Sequence, residues 1–223
     1  ALPIYQLELL ELAVEAIAGF VAQVGPGDLV FELVDLVLEL AGVGAVFGAV
    51  GTCGQRCTST RRLIVHESVY EQVKEALVSA YQQLRIGNPL DENNHVGPLI
   101  DREAVTKYQE ALDKVVREGG SLVVPGGVLE GEGFESGCYV KPAIAEAENH
   151  FEIVQEETFA PILYLLKYSG GVEEAIAMQN GVKQGLSSAI MTNDLRKAET
   201  FLSAAGSDCG IANVNIGTSG AEI

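Results

Sequence analysis

Basic residues are scarce in this chain of 223: 14 lysines and arginines face 31 aspartates and glutamates, giving a formal net charge of −17 and a pI near 4.5. A surface of that sign repels phosphate backbones and anionic headgroups, which argues against nucleic acid or a membrane as partner. Histidine is scarcer still. His66, His95 and His150 stand far apart, so no zinc-type ligand spacing can be read and no metal is expected. Cysteine occurs only at 53, 57, 138 and 209, irregularly spaced. A chain of this length needs no disulfide staples, so the four are expected to be reduced thiols of a cytoplasmic protein. No apolar run is long and clean enough for a bilayer, because Glu32, Asp35 and Glu39 interrupt the stretch from Leu29 to Val50. The N-terminal residues lack the basic segment of a signal peptide, and there is no low-complexity tract or fixed-period repeat.

What is present is a core-forming chain, 48% hydrophobic with a mean hydropathy of +0.21. The pattern from Leu7 to Val24 suits an amphipathic helix stopped by Gly25-Pro26-Gly27, followed by a short strand over Asp28–Leu33 and an apolar helix over Asp35–Gly51. Arg62–His66 reads as a buried strand and Ser68–Leu84 as a helix. Asp101–Glu118 forms another, with Asp101 as N-cap and Gly119-Gly120 as its stop. Strands are expected at Ser121–Val124, Tyr139–Ile144 and Ile162–Tyr168. The chain then continues as helix Val172–Gln179, strand Ser187–Thr192, helix Asp194–Ala204 and strand Ile211–Ile216. This alternation predicts an α/β domain with a largely parallel sheet flanked by helices.

The chemistry concentrates at Gly51-Thr52-Cys53-Gly54-Gln55-Arg56-Cys57. Cys57 follows a glycine-punctuated turn and adjoins a guanidinium, which lowers a thiol's pKa; glycines also let backbone N–H groups reach an oxyanion. That suits a nucleophile adding to a carbonyl. A free cysteine is also, more commonly, a small buried hydrophobe, and these seven residues alone leave both readings open. Cys53 and Cys209 are expected to be buried structural thiols.

Gly54-Gln55-Arg56-Cys57-Thr58 resembles the active-site motif of the aldehyde dehydrogenase superfamily. In order behind it, Ile86-Gly87-Asn88-Pro89, Val96-Gly97-Pro98-Leu99-Ile100, Gln155-Glu156-Glu157-Thr158-Phe159-Ala160-Pro161, Gly185-Leu186-Ser187-Ser188 and Asn213-Val214-Asn215 are similar to later segments of that family. The likeness runs from Phe47 to Ile223. The wording around Cys57 and at 206–223 is most similar to the antiquitin-like branch, which oxidises α-aminoadipic semialdehyde.

The resemblance implies that Cys57 attacks the aldehyde and that its own backbone N–H forms half of an oxyanion hole. NAD would be the cofactor, with NADP an option. Glu157 would hold the nicotinamide-side ribose and Phe159 would pack near the nicotinamide. Arg56 and the loop Ser219, Gly220, Ala221 would take the distal carboxylate of a small-molecule aldehyde, and Asn215 would shape its loop. A homo-oligomer, dimer or tetramer, is the expected assembly. The resemblance also divides the chain into a poorly matching segment 1–43, a remnant of the cofactor-binding domain, and a catalytic domain 44–223 shortened at its C-terminus. Most of the cofactor-binding domain is then absent, including the family's phosphate-contacting lysine and oxyanion-hole asparagine. The family's general-base glutamate falls on Gln23, whose amide cannot accept a proton from water. Glu39 stands only 18 residues before Cys57, about half the family's separation. Two alternatives stay open: a different aldehyde, or a non-catalytic fragment acting in assembly or binding.

Overall fold

The computed structural model describes residues 44–219. The readings for Leu7–Val24, Gln23, the break at 25–27 and the strand Asp28–Leu33 lie outside the described residues, as do Gly220 and Ala221. Helical backbone over 44–50 (α1) runs into the short turn Gly51–Gly54. Then come β1 (Arg62–His66), α2 (Tyr70–Gln82), α3 (Arg102–Arg117), β2 (Ser121–Val124), β3 (Gly127–Val128), β4 (Val140–Lys141) and β5 (Ala143–Glu146). They are followed by α4 (Glu152–Gln155), β6 (Ile162–Tyr168), α5 (Val172–Asn180), β7 (Ser187–Ile190), α6 (Leu195–Leu202) and β8 (Ile211–Val214).

The main sheet has the order β1-β6-β5-β2. β6 is parallel to both of its neighbours, and β2 adds an antiparallel edge. The α/β reading with a largely parallel sheet therefore holds. β6 lies between β1 and β5, and Ile162, Leu163, Tyr164, Leu165 and Leu166 are all buried. A strand covered on both faces carries a continuous apolar run instead of an alternating one. Along its other side, β1 pairs Arg62 with Tyr164 through to His66 with Tyr168. β7 and β8 form a separate parallel pair.

Local chemistry sets several boundaries. The Asp101 side chain accepts from the Ala104 N–H at 2.8 Å, capping α3 as its sequence suggests. The single strand expected over Tyr139–Ile144 is split in two by Pro142, which has no N–H for a ladder. Val140–Lys141 pairs with β3, while Ala143–Glu146 joins β6 and β2. Tyr108 ties these pieces together: its hydroxyl donates to the Lys141 carbonyl at 2.6 Å and accepts from the Gly127 N–H at 2.9 Å. Arg62, at the start of β1, donates to the Met178 and Gln179 carbonyls at 2.9 Å each and to Asn149 Oδ1 at 2.9 Å. A cation there also meets the negative end of α5. No helix among the described residues is long and apolar enough to cross a membrane.

His95 is buried in the loop after α2. Its Nδ1 accepts the Arg85 N–H at 3.0 Å, and its Nε2 has no partner among the described residues. Burial, and secondarily the Arg85 charge, push its pKa down to about 4. The unfolded chain, with an imidazole near the ordinary ~6.5, takes up the proton first as pH falls. Stability is therefore expected to be complete above that value and to drop between about 6.5 and about 4. In an NMR titration the His95 ring should stay neutral at pH 5.5; a midpoint near 6.5 would contradict its placement.

Candidate active site

The nucleophile candidate sits at the corner of a tight turn. Ser59 N–H donates to the Arg56 carbonyl at 3.2 Å, and Arg56 N–H donates to Ser59 Oγ at 3.1 Å. These two bonds close a four-residue loop with Cys57 at its second position, and the Cys57 side chain is exposed. No described residue accepts the Cys57 backbone N–H. A free donor thus lies on the same residue as the thiol, which is what half an oxyanion hole requires.

Upstream, the chain reaches this corner through an unusual backbone. Thr52 and Cys53 both have φ of 54°, and Gly54 has φ of 66°. Two non-glycine residues in the left-handed region cost on the order of 1 kcal/mol or more each. Packing holds them there. Cys53 is buried, and a Cβ on Gly54 would stand 2.5 Å from the Ala160 carbonyl oxygen and 2.8 Å from Pro161 N. Gln55 fastens the loop on its other side, accepting the Ile100 N–H at 2.8 Å and donating to the Pro98 carbonyl at 3.3 Å.

The Glu157–Phe159 segment lies against this loop, and Arg61 joins the two. Its guanidinium donates to the Gly54 carbonyl at 2.6 Å and to the Ala160 carbonyl at 2.9 Å, and it stands 5.4 Å from the Phe159 ring centre. Burial draws the Arg61 pKa below its ordinary value, and the Glu157 and Tyr164 charges oppose that; a guanidinium stays protonated regardless. Glu157 is exposed, and Phe159 keeps 43% of its surface open. An exposed carboxylate and a partly open aromatic ring two residues apart are chemically suited to a ribose and a flat ring. Arg56 is half-buried, with its guanidinium 5.9 Å from the Phe47 ring centre.

The late segment returns to the same place. Thr218 Oγ1 and Ser219 Oγ each donate to the Thr58 carbonyl at 2.8 Å, and Ser187 Oγ donates to the Thr218 carbonyl at 2.9 Å. Ser219 therefore lies beside Thr58, the neighbour of Cys57, and its buried hydroxyl is spent on backbone. Asn215 adopts a left-handed φ of 57°. Its side chain accepts the Thr192 N–H at 2.8 Å and donates to the Thr192 carbonyl at 2.9 Å. That pair fixes the turn after β8, as a loop-shaping residue should. A cleft of about 580 Å³ is lined by Cys57, Arg61, Glu157 and Thr218 together with β1 and β7.

Sequence reasoning did not single out Arg61, and it read Thr218 only as the start of the loop Thr218-Ser219-Gly220-Ala221. The signal for Arg61 was present: two adjacent arginines open an apolar strand, and a charge there needs carbonyl partners. Cys53 is buried as expected, whereas Cys209 is only partly buried and accepts a hydrogen bond from Gln179 Nε2 at 3.4 Å.

This chain belongs to the aldehyde dehydrogenase family, which it matches over residues 27–223. It is 48% identical to aldehyde dehydrogenase family 7 member A1 of Pisum sativum over 189 residues, 85% of this chain and 36% of that protein. Identity is also 48% to the alpha-aminoadipic semialdehyde dehydrogenase of Rattus norvegicus over 194 residues, 86% of this chain and 35% of that protein. In structure it is similar to a betaine aldehyde dehydrogenase of Staphylococcus aureus in complex with NAD+, with a TM-score of 0.75 and 26% identity over 82% of this chain and 35% of the other. A 3,6-anhydro-L-galactose dehydrogenase in complex with NAP gives a TM-score of 0.76 and 28% identity, over 82% of this chain and 38% of the other. The chain thus spans little more than a third of the length of these relatives.

The thiols should differ in reactivity. Burial pushes the Cys53 thiol up to about 12, whereas Cys57 is exposed. Iodoacetamide should alkylate Cys57 first and Cys53 last, with Cys138 and Cys209 between, as read by peptide mass spectrometry over time. Labelling of all four at one slow rate would count against an accessible nucleophile at 57.

Proposed function

We propose that this protein oxidises an aldehyde to its carboxylic acid with NAD(P), and that the aldehyde is α-aminoadipic semialdehyde. The observation that carries the reading is the exposed Cys57 thiol, held at a turn corner beside its own free N–H. Its thiolate adds to the carbonyl carbon, and the resulting oxyanion meets that N–H. Glu157 and Phe159 are the residues that would hold the ribose and nicotinamide of the cofactor. Bound there, an NAD(P) nicotinamide supplies the acceptor for the hydride of the thiohemiacetal carbon. The thioester left on Cys57 is hydrolysed by water, releasing the acid and restoring the thiol.

Substrate preference is assigned to Arg56 and to Ser219, Gly220 and Ala221. A guanidinium one residue from the nucleophile suits a substrate that carries a carboxylate. The relative named alpha-aminoadipic semialdehyde dehydrogenase supports this choice, and we place the reaction in lysine catabolism and in the cytoplasm as part of the same reading. Leu90, Ile100 and Leu195 are 90%, 83% and 73% exposed, which supports burial against further chain in a homodimer or homotetramer.

The register expected from the resemblance favours a second reading, binding or assembly without catalysis. That register would set Gln23 where the family keeps its general base, and an amide cannot take water's proton.

Two measurements on the full-length protein decide. C57A should abolish NADH formation from α-aminoadipic semialdehyde, and turnover retained in that variant would sink the mechanism. R56A should raise KM for the semialdehyde by about 10-fold, the scale of one lost charge-assisted hydrogen bond. KM for hexanal, which lacks the carboxylate, should stay unchanged; an equal rise for both would remove Arg56 from substrate recognition.

A further inference from the structure

We propose that Arg61 is a positioning residue that locks the Cys57 turn to the Glu157–Phe159 segment, so that a ligand held by that segment sets where the thiol stands. The inference rests on the aldehyde-oxidising reading above. Three hydrogen bonds carry it. Nη2 donates to the Gly54 carbonyl at 2.6 Å and, more weakly, to the Arg56 carbonyl at 3.4 Å. Nη1 donates to the Ala160 carbonyl at 2.9 Å. The first two acceptors flank Gln55 on the nucleophile's turn, and the third lies next to Phe159. Among the described residues, no other hydrogen bond joins 51–59 to 155–161. The Phe159 ring lies 5.4 Å from the guanidinium carbon, near enough for a cation–π attraction.

The residue type matters. A planar guanidinium presents several donors in a fixed fork, so one group can satisfy carbonyls on two loops without bending. A lysine ammonium is a single point at the end of a flexible stem and keeps the charge without the fork. Oxidation of the adduct on Cys57 requires its carbon to meet the hydride acceptor at about 3–3.5 Å, and a 1 Å error costs on the order of 10²-fold. Cys57 fixes one of those positions and Glu157 with Phe159 the other. Arg61 is the hydrogen-bonded link between them.

The test uses the full-length protein and its R61A and R61K variants. In R61A, kcat should fall by about 10–100-fold and KM for NAD+ should rise, with KM for the aldehyde little changed. Simple loss of folded protein lowers kcat alone. Cys57 alkylation by iodoacetamide supplies a readout apart from turnover. In the wild type its rate should change when NAD+ is added; in R61A it should be the same with and without NAD+. Millimolar guanidinium should restore part of kcat in R61A. If R61A gives no cooperative melt, R61K decides: kcat should remain at least several-fold below wild type although the charge is kept. Wild-type kinetics in the folded variant, or a wild-type alkylation rate indifferent to NAD+, would overturn the proposal. A wild-type protein that forms no NADH from any aldehyde would overturn the reading beneath it instead.

Discussion

Two stretches of backbone touch where Gly54 meets Ala160 and Pro161, and the contact is possible because Gly54 has no side chain. Its left-handed φ finishes a run of three such residues, which turns the chain sharply out of α1 and delivers Arg56-Cys57 to the surface. With the two backbones this close, the Gly54 and Ala160 carbonyls come within reach of a single guanidinium. Everything the site offers is arranged around that contact: the exposed thiol, the free N–H of Cys57, and the uncovered Glu157 and Phe159. The strain at Thr52 and Cys53 is sustained by burial of Cys53 and by the Gln55 bonds to 98–100.

The second support comes from the far end of the chain. Thr218 and Ser219 both donate to the Thr58 carbonyl, and Thr60 Oγ1 lies 2.8 Å from Thr218 Oγ1. The Cys57 turn is thereby bound to segments roughly 100 and 160 residues away in sequence. Ligand-contacting groups on a turn are usually mobile, and holding them from several directions is how a site gains precision. The hydroxyl of Ser219 does this by shaping backbone.

Much of this was legible in the sequence. The strands at 62–66, 121–124 and 162–168 were placed by apolar runs and punctuation, and Asp101 was recognisable as a cap. Pro142 could have warned that 139–144 was not one strand, since a residue without an N–H seldom sits inside a ladder. Cys57 was proposed as nucleophile from motif order, because a cysteine beside an arginine is ambiguous alone. What periodicity could not show was Arg61. Its partners are main-chain carbonyls at 54 and 160, and carbonyls carry no sequence signature. The bonds of Thr218 and Ser219 were hidden for the same reason.

Arg61 and Arg62 are adjacent, yet their side chains serve different neighbourhoods. The first reaches the nucleophile's turn and the 160 loop, and the second reaches the end of α5 and Asn149. Arg61 directly precedes β1 and Arg62 opens it, and successive side chains of extended chain leave on opposite faces, so the pair marks how β1 is seated beside β6. A slip by one residue would send each guanidinium to the wrong face, stripping both sets of carbonyls of their donors and stranding two charges in apolar surroundings. The tandem arginines therefore make the register of β1 against β6 costly to shift. The seating of β1 in this structure satisfies both, and it brings the Cys57 turn against the Glu157–Phe159 segment.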